Sequence, residues 1–235
     1  MYGYGYYGWG MDPTILLLVI GMLLSLAASA KLRSTFAVYK KVRSHSGITG
    51  AEAAQRILRA AGITDVQVVP IRGSLTDHYD PRTKTVSLSE DIYGRNSLAA
   101  VGVAAHECGH AIQDAINYAP LNIRSAIVPV ANLGSSLSWP IFLAGLIFSM
   151  RSLLMLGIVL FSLAVLFQLV TLPVEFNASS RALRLLESTG ILSTEENLGA
   201  RRVLTAAALT YVAALASSIL QLLRLIILAG GRDRD

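Results

Sequence analysis

His106-Glu107-Cys108-Gly109-His110 sets two imidazoles four residues apart with a carboxylate beside the first. On a helix, four residues advance about 6 Å and turn only about 40° past a full revolution. Both rings then leave one face and can converge on a single divalent ion. Glu107 sits about 100° round the helix from His106. It can flank the ion without ligating it and take a proton from a water held there. This is the H-E-x-x-H pattern of metal-assisted hydrolysis, and it points to one zinc ion per chain. The pattern is short, so its surroundings must support it. The chain has 4 histidines, and two of them are here. The surrounding SLAAVGVAAHECGHAIQDAI is otherwise mostly small and apolar. Three polar side chains are poorly tolerated in such a helix without a task. Cys108 lies about 200° from each histidine and so faces the scaffold as a small core residue.

A catalytic zinc has three protein ligands and one open position. Positions 113 and 116 are Gln and Ile, so the continuation H-E-x-x-H-x-x-G-x-x-H is absent. The other histidines, His45 and His78, lie upstream. Glu175, in Pro173-Val174-Glu175-Phe176, is the leading candidate for the third ligand, as a lone anion among apolar neighbours. Asp114 and His78 are the alternatives. Asp114, one turn past His110, can instead orient a ligand, and His78 can instead touch the substrate or its transition state.

These residues must be positioned by a chain that is 53% hydrophobic and 15% charged, with a mean hydropathy of +0.54. A soluble domain carries about a quarter charged residues, so lipid must solvate much of this chain. Four apolar runs stand out: Pro13 to Ala30, Ile127 to Met150, Leu153 to Leu172 and Val203 to Ala229. Eighteen helical residues cover about 27 Å, close to the hydrocarbon thickness. Arg151 marks a tight hairpin between the second and third runs. Lys31, Arg33, Lys40, Lys41 and Arg43 follow the first run, and Arg181, Arg184, Arg201 and Arg202 lie between the third and fourth. Cytoplasmic flanks are rich in such cations, so both segments are expected on the cytoplasmic side and both termini outside.

The net charge of +5 does not imply nucleic acid, because the cations border apolar runs and set topology. The one cysteine excludes an intramolecular disulfide, and the polar part is not built for an oxidising compartment. The head, MYGYGYYGWGMDP, has no cation before the first run and does not read as a signal peptide. Its tyrosines and Trp9 suit a tail resting at the outer interface.

The long polar segment predicts a helix opened by Thr49 and stopped by Gly62, then a strand at residues 66–71. Residues 77–81 read as a turn, and Thr85 to Ser89 as a half-buried or edge strand. Asn96 or Ser97 can cap the motif helix. An edge strand just before that helix could pair with an extended peptide. The expected organisation is a tail (1–12), a first span (13–30), a cytoplasmic zincin-like domain (31–125), spans at 126–150 and 151–173, a cytoplasmic segment carrying the third ligand (174–202), a fourth span (203–229) and a tail (230–235). The fold class is mainly α, a membrane protein with about four transmembrane helices and a small α+β metallopeptidase domain.

Several stretches together are more specific than the five-residue motif. MDPT, VRSHSGITGAEAA, LTDHYDPRTKTVSLSE, GVAAHECGHAIQ and LFQLVTLPVEFNASSRAL resemble the bacterial membrane proteins called putative neutral zinc metallopeptidases, of the YugP type, over nearly the whole chain. EFNAS is also similar to the E-[FY]-x-A-D motif of HtpX-like membrane peptidases, in which the Glu is the third zinc ligand. The resemblance implies that Glu175 is that ligand. Ser179 stands where those relatives have Asp, so the usual carboxylate beside a zinc histidine is replaced by a hydroxyl.

The resulting expectation is a membrane zinc endopeptidase with Glu107 as general base. Its partners are the bilayer and polypeptides in the membrane or at its cytoplasmic face. An intramembrane-cleaving zinc protease is an alternative, but the third and fourth runs lack Asp, and about nine residues back from His106 to Ser97 cannot span. A scaffold or transporter with a structural zinc is another, but a closed site needs a fourth ligand and Cys108 faces away.

Overall fold

The computed structural model describes residues 12–230. The Tyr/Gly-rich head up to Met11 and the last five residues, with Arg232 and Arg234, lie outside the described residues. Each apolar run falls on a helix long and apolar enough to cross a membrane: α1 (Ile15–Tyr39), α4 (Ala119–Ile147), α5 (Arg151–Ser188) and α6 (Thr194–Gly230). Their outward faces expose Leu16 and Leu23 on α1, Leu133 and Leu143 on α4, and Val159 and Leu169 on α5. So large an apolar surface is costly in water and suited to lipid.

The helices run past the apolar runs at their polar ends. α1 continues through Lys31 and Arg33 to Tyr39. α5 continues through Pro173 to Ser188, so residues 174–188 form a helical extension of the third span. The last three residues of the second run, Phe148 to Met150, make the turn before Arg151, with Ser149 at φ 53°. α1 and α6 are antiparallel neighbours. Ser217 Oγ donates to Gly21 O at 2.7 Å near one end, and Arg202 Nη1 donates to Tyr39 Oη at 2.8 Å near the other.

Between α1 and α4 lie α2 (Gly50–Ala60), β1 (Gln67–Ile71), β2 (His78–Asp80), β3 (Thr85–Ser89) and α3 (Leu98–Ala115). α2 starts where Thr49 and Glu52 exchange hydrogen bonds, Glu52 N to Thr49 Oγ1 and Thr49 N to Glu52 Oε2. This reciprocal cap satisfies two backbone donors at once. Ala53, Ala54, Ile57 and Leu58 fall on one helical face and are buried. Gly62 ends the unit at φ +72°, a conformation that favours glycine.

The sheet order is β1-β3-β2, with β1 parallel and β2 antiparallel to β3. This corrects two expectations. Residues 78–80, read as part of a turn, are a strand, and the turn follows at Pro81 to Lys84, where Asp80 accepts from Arg82 N and Thr83 Oγ1. Thr85 to Ser89, read as half-buried or edge, is the central strand, and residues 86–89 are all buried. The alternation misled because its polar positions are serines, small enough to bury once bonded. Ser89 donates from N and Oγ to the two oxygens of Asp77, at 2.7 and 3.0 Å. Burial pushes the Asp77 carboxyl above its ordinary range, against the opposing pull of those two bonds. The edge strands are therefore β1 and β2, and β3 has no free edge.

One core joins the domain to the membrane helices. It gathers Ile57 and Leu58 of α2, Leu88 of β3, Val101 of α3, Leu186 of α5 and Val203 of α6. Each such burial contributes about 1.5–3 kcal/mol. A polar clasp adds to it. Glu196 near the start of α6 accepts from His45 N at 2.7 Å and from Ser193 N at 3.0 Å.

Candidate metal centre

α3 carries His106 and His110. Ser97 opens it, its hydroxyl accepting from Ala100 N at 3.2 Å. The alanines and Gly102 leave little bulk on α3, so α2, α5 and α6 pack closely round it. The tightest approach is at Gly109. A Cβ there would meet the Ala178 carbonyl oxygen at 2.6 Å, so only glycine lets α5 come this near. That approach brings Glu175, one helical turn before Ala178, to the two histidines.

Glu175 Oε2 lies 3.2 Å from His106 Nε2 and 3.6 Å from His110 Nε2. The imidazoles are nearly perpendicular, at 86°, with centroids 4.8 Å apart. Ligands about 2.0–2.1 Å from a tetrahedral zinc stand about 3.3 Å from one another. Both Glu175 distances are close to that spacing, all three donors lie within 4.8 Å of one another, and two imidazoles with one carboxylate match the ion's ligand preferences. His106, His110 and Glu175 are the one group of this kind among the described residues. Burial opposes a charge on His110. The Glu175 hydrogen bond and the charges of Glu107 and Glu175 outweigh it and hold the imidazole above its ordinary pKa. The same field favours a bound cation.

The far nitrogens of both rings are engaged, which leaves the Nε2 atoms facing Glu175. His106 Nδ1 meets Ser179 Oγ at 3.1 Å. His110 Nδ1 donates to Gln113 Oε1 at 3.0 Å in the tautomer that frees Nε2. Gln113, fully buried, donates in turn to Val174 O at 2.8 Å and Asn177 Oδ1 at 3.0 Å. It ties α3 to the α5 turn that carries Glu175. Sequence reasoning used Gln113 only to rule out a metzincin continuation. Its signal was the i, i+3 spacing from His110.

Glu107 is buried and lines a cavity of about 290 Å³ together with His106, His110 and Glu175. Two further lining residues were missed. Arg124 of α4 places Nη1 3.6 Å from Glu175 Oε1, and Tyr211 of α6 faces the same space. Tyr211 is the one aromatic in Val203 to Ala229, a cue that was available. Asp77, just before β2, and His78 and Tyr79 of β2 also line it. His78 is exposed, its Nδ1 2.9 Å from Thr76 O. Asp114 stands apart from the three donors and accepts from Tyr79 Oη at 2.8 Å and Lys84 Nζ at 2.6 Å. Cys108 is fully buried, with Sγ 3.5 Å from Ala54 O, and burial pushes its thiol pKa far up.

The family described as "Putative neutral zinc metallopeptidase" matches residues 14–230. The chain is 49% identical over 222 residues to a Bacillus subtilis (strain 168) protein named "Putative membrane protease YugP", covering 94% of this chain and 99% of that one. No solved structure matches the chain.

Proposed function

Because the chain belongs to the family described as "Putative neutral zinc metallopeptidase", we propose that it is a membrane-embedded endopeptidase in which His106, His110 and Glu175 hold zinc and Glu107 is the general base. The observation that carries this reading is the convergence of three metal-ligating atoms within 4.8 Å of one another, in a cavity that Glu107 also lines. Held by these three residues, zinc would supply Lewis acidity and would lower the pKa of a water to about 7. Glu107 would hold the proton given up by the attacking water on its carboxylate and pass it to the departing amine. Ser179 and Gln113 hold the imidazoles in register. Arg124 engages the other Glu175 oxygen.

The substrate enters as an extended segment. β2 pairs with β3 on one side only and borders the cavity. A peptide adding to its outer edge would run past the metal donors, with backbone hydrogen bonds giving affinity whatever the side chains. His78 and Tyr211 face such a segment and can donate to its carbonyl. Detergent-purified, zinc-loaded protein should cleave unfolded casein, lose the activity to a zinc chelator and recover it on zinc addition. Zinc-loaded protein that leaves casein intact, or cleavage that ignores the chelator, would overturn the reading. A structural zinc site is less favoured because the group holds three donors, not four.

The cations that follow the first apolar run and those between the apolar parts of α5 and α6 support a cytoplasmic reading for residues 31–125 and 174–202, with the site on that side. A cysteine at position 40 in a Cys108→Ala background should resist an impermeant thiol reagent in intact cells and react in inverted membranes. Labelling from outside would reverse this orientation.

A further inference from the structure

A second cavity, of about 480 Å³, lies between α1 and α6, and it shares no lining residue with the metal-centre cavity. On α1 it is lined by Lys31, Ser34, Thr35 and Val38, which share one helical face. On α6 it is lined by Arg201, Arg202 and Thr205, with Leu209 one turn further. We propose that this groove binds the headgroup of one anionic phospholipid.

Three cations converge there, and no carboxylate lines the groove. Among the described residues, none of Lys31, Arg201 and Arg202 forms an ion pair. Arg202 is held in place by the Tyr39 hydroxyl. Cations that only orient a chain in the bilayer need no cavity and no shared face. These three line one cavity, with the hydroxyls of Thr35 and Thr205 beside them. That set matches the oxygens of a phosphodiester and its glycerol.

The depth also fits. Lys31 follows directly on the first apolar run, and Arg202 directly precedes the last. The groove therefore lies where the hydrocarbon gives way to headgroups. Because α1 and α6 are antiparallel, Lys31 and Leu209 lie at one end and Val38, Tyr39 and Arg202 at the other. Val38 and Leu209 are exposed at 58% and 44%, so each end sets an apolar side chain beside a cation. This apolar lining suits a lipid and not a free phosphate.

The inference does not rest on the metal chemistry and can be tested on metal-free protein. Full-length protein is reconstituted into nanodiscs of equal phosphatidylcholine and phosphatidylglycerol, and the lipids retained on release are counted by native mass spectrometry. One phosphatidylglycerol should be retained in preference to phosphatidylcholine. The pair Lys31→Gln and Arg201→Gln should weaken its retention roughly 10–30-fold. The pair Arg33→Gln and Lys41→Gln removes the same charge outside the groove and should leave retention unchanged. The charge-preserving pair Lys31→Arg and Arg201→Lys should retain the lipid, which separates loss of the site from loss of the fold. Equal retention of both lipids, equal losses in the two glutamine pairs, or equal displacement by soluble glycerol phosphate would overturn the proposal.

Discussion

Glu107→Gln is expected to leave zinc content unchanged and to lower peptide hydrolysis by roughly 10²–10⁴-fold, the usual contribution of a positioned general base. The amide has nearly the shape of the carboxylate but cannot accept a proton. Glu107 lines the cavity beside the three donors without belonging to their group, so its charge is not needed to hold an ion in place. The two readouts must therefore separate. Metal analysis and casein cleavage on the same preparation check this. A folded Glu107→Gln protein that lacks zinc would make Glu107 a ligand, and one that retains full activity would remove it from the mechanism.

Glu175→Ala should fail at the earlier stage, losing zinc and activity together. Two neutral imidazoles leave a divalent ion with its whole charge near a low-dielectric boundary, and the carboxylate is the donor that offsets it. Its loss should exceed the roughly 10–100-fold cost in metal affinity of removing a partner that only orients a ligand. Ser179→Ala and Gln113→Ala supply that smaller reference. Asp114→Ala should cost less zinc than Glu175→Ala, because Asp114 is bound to Tyr79 and Lys84 instead of facing the donors. Zinc titration of the folded variants orders the series. Full occupancy and activity in Glu175→Ala would move the third ligand elsewhere, first to His78.

These outcomes bear on how much could be read before any coordinates. The motif helix was legible because its signals are local: the Ser97 cap, small residues on the packing faces, and two histidines one turn apart. The four long apolar helices were legible because bilayer thickness sets a length that composition reveals. Sheet order was not. Val86 and Leu88 could belong to an edge or to a centre, and the burial of Ser87 and Ser89 depends on strands that arrive from elsewhere. Asp77, which satisfies Ser89, sits in what looked like a turn. Arg124 and Tyr211 escaped for a related reason. Arg124 is one of several polar groups at the start of α4 and Tyr211 stands inside an apolar run of α6, and both reach the cavity through helix packing that no short stretch encodes. Glu175 was visible because its neighbours also carry a recognisable pattern. That it sits inside an unbroken helix was not, since Pro173 reads as a terminus.

The continuity of α5 has a further consequence, for reach. From Arg151 at the hairpin to Glu175, the helix covers about 36 Å at about 1.5 Å per residue. Even tilted by about 20°, it still rises about 34 Å, against a hydrocarbon layer about 30 Å thick. On the proposed orientation α5 is a caliper, with one jaw at the far surface and the other, at Glu175, by the near boundary. The same cavity reaches Tyr211, within the last apolar run. The proposed peptidase is therefore expected to cut close to where a neighbour's chain leaves the lipid, where that chain is still extended and not yet folded away.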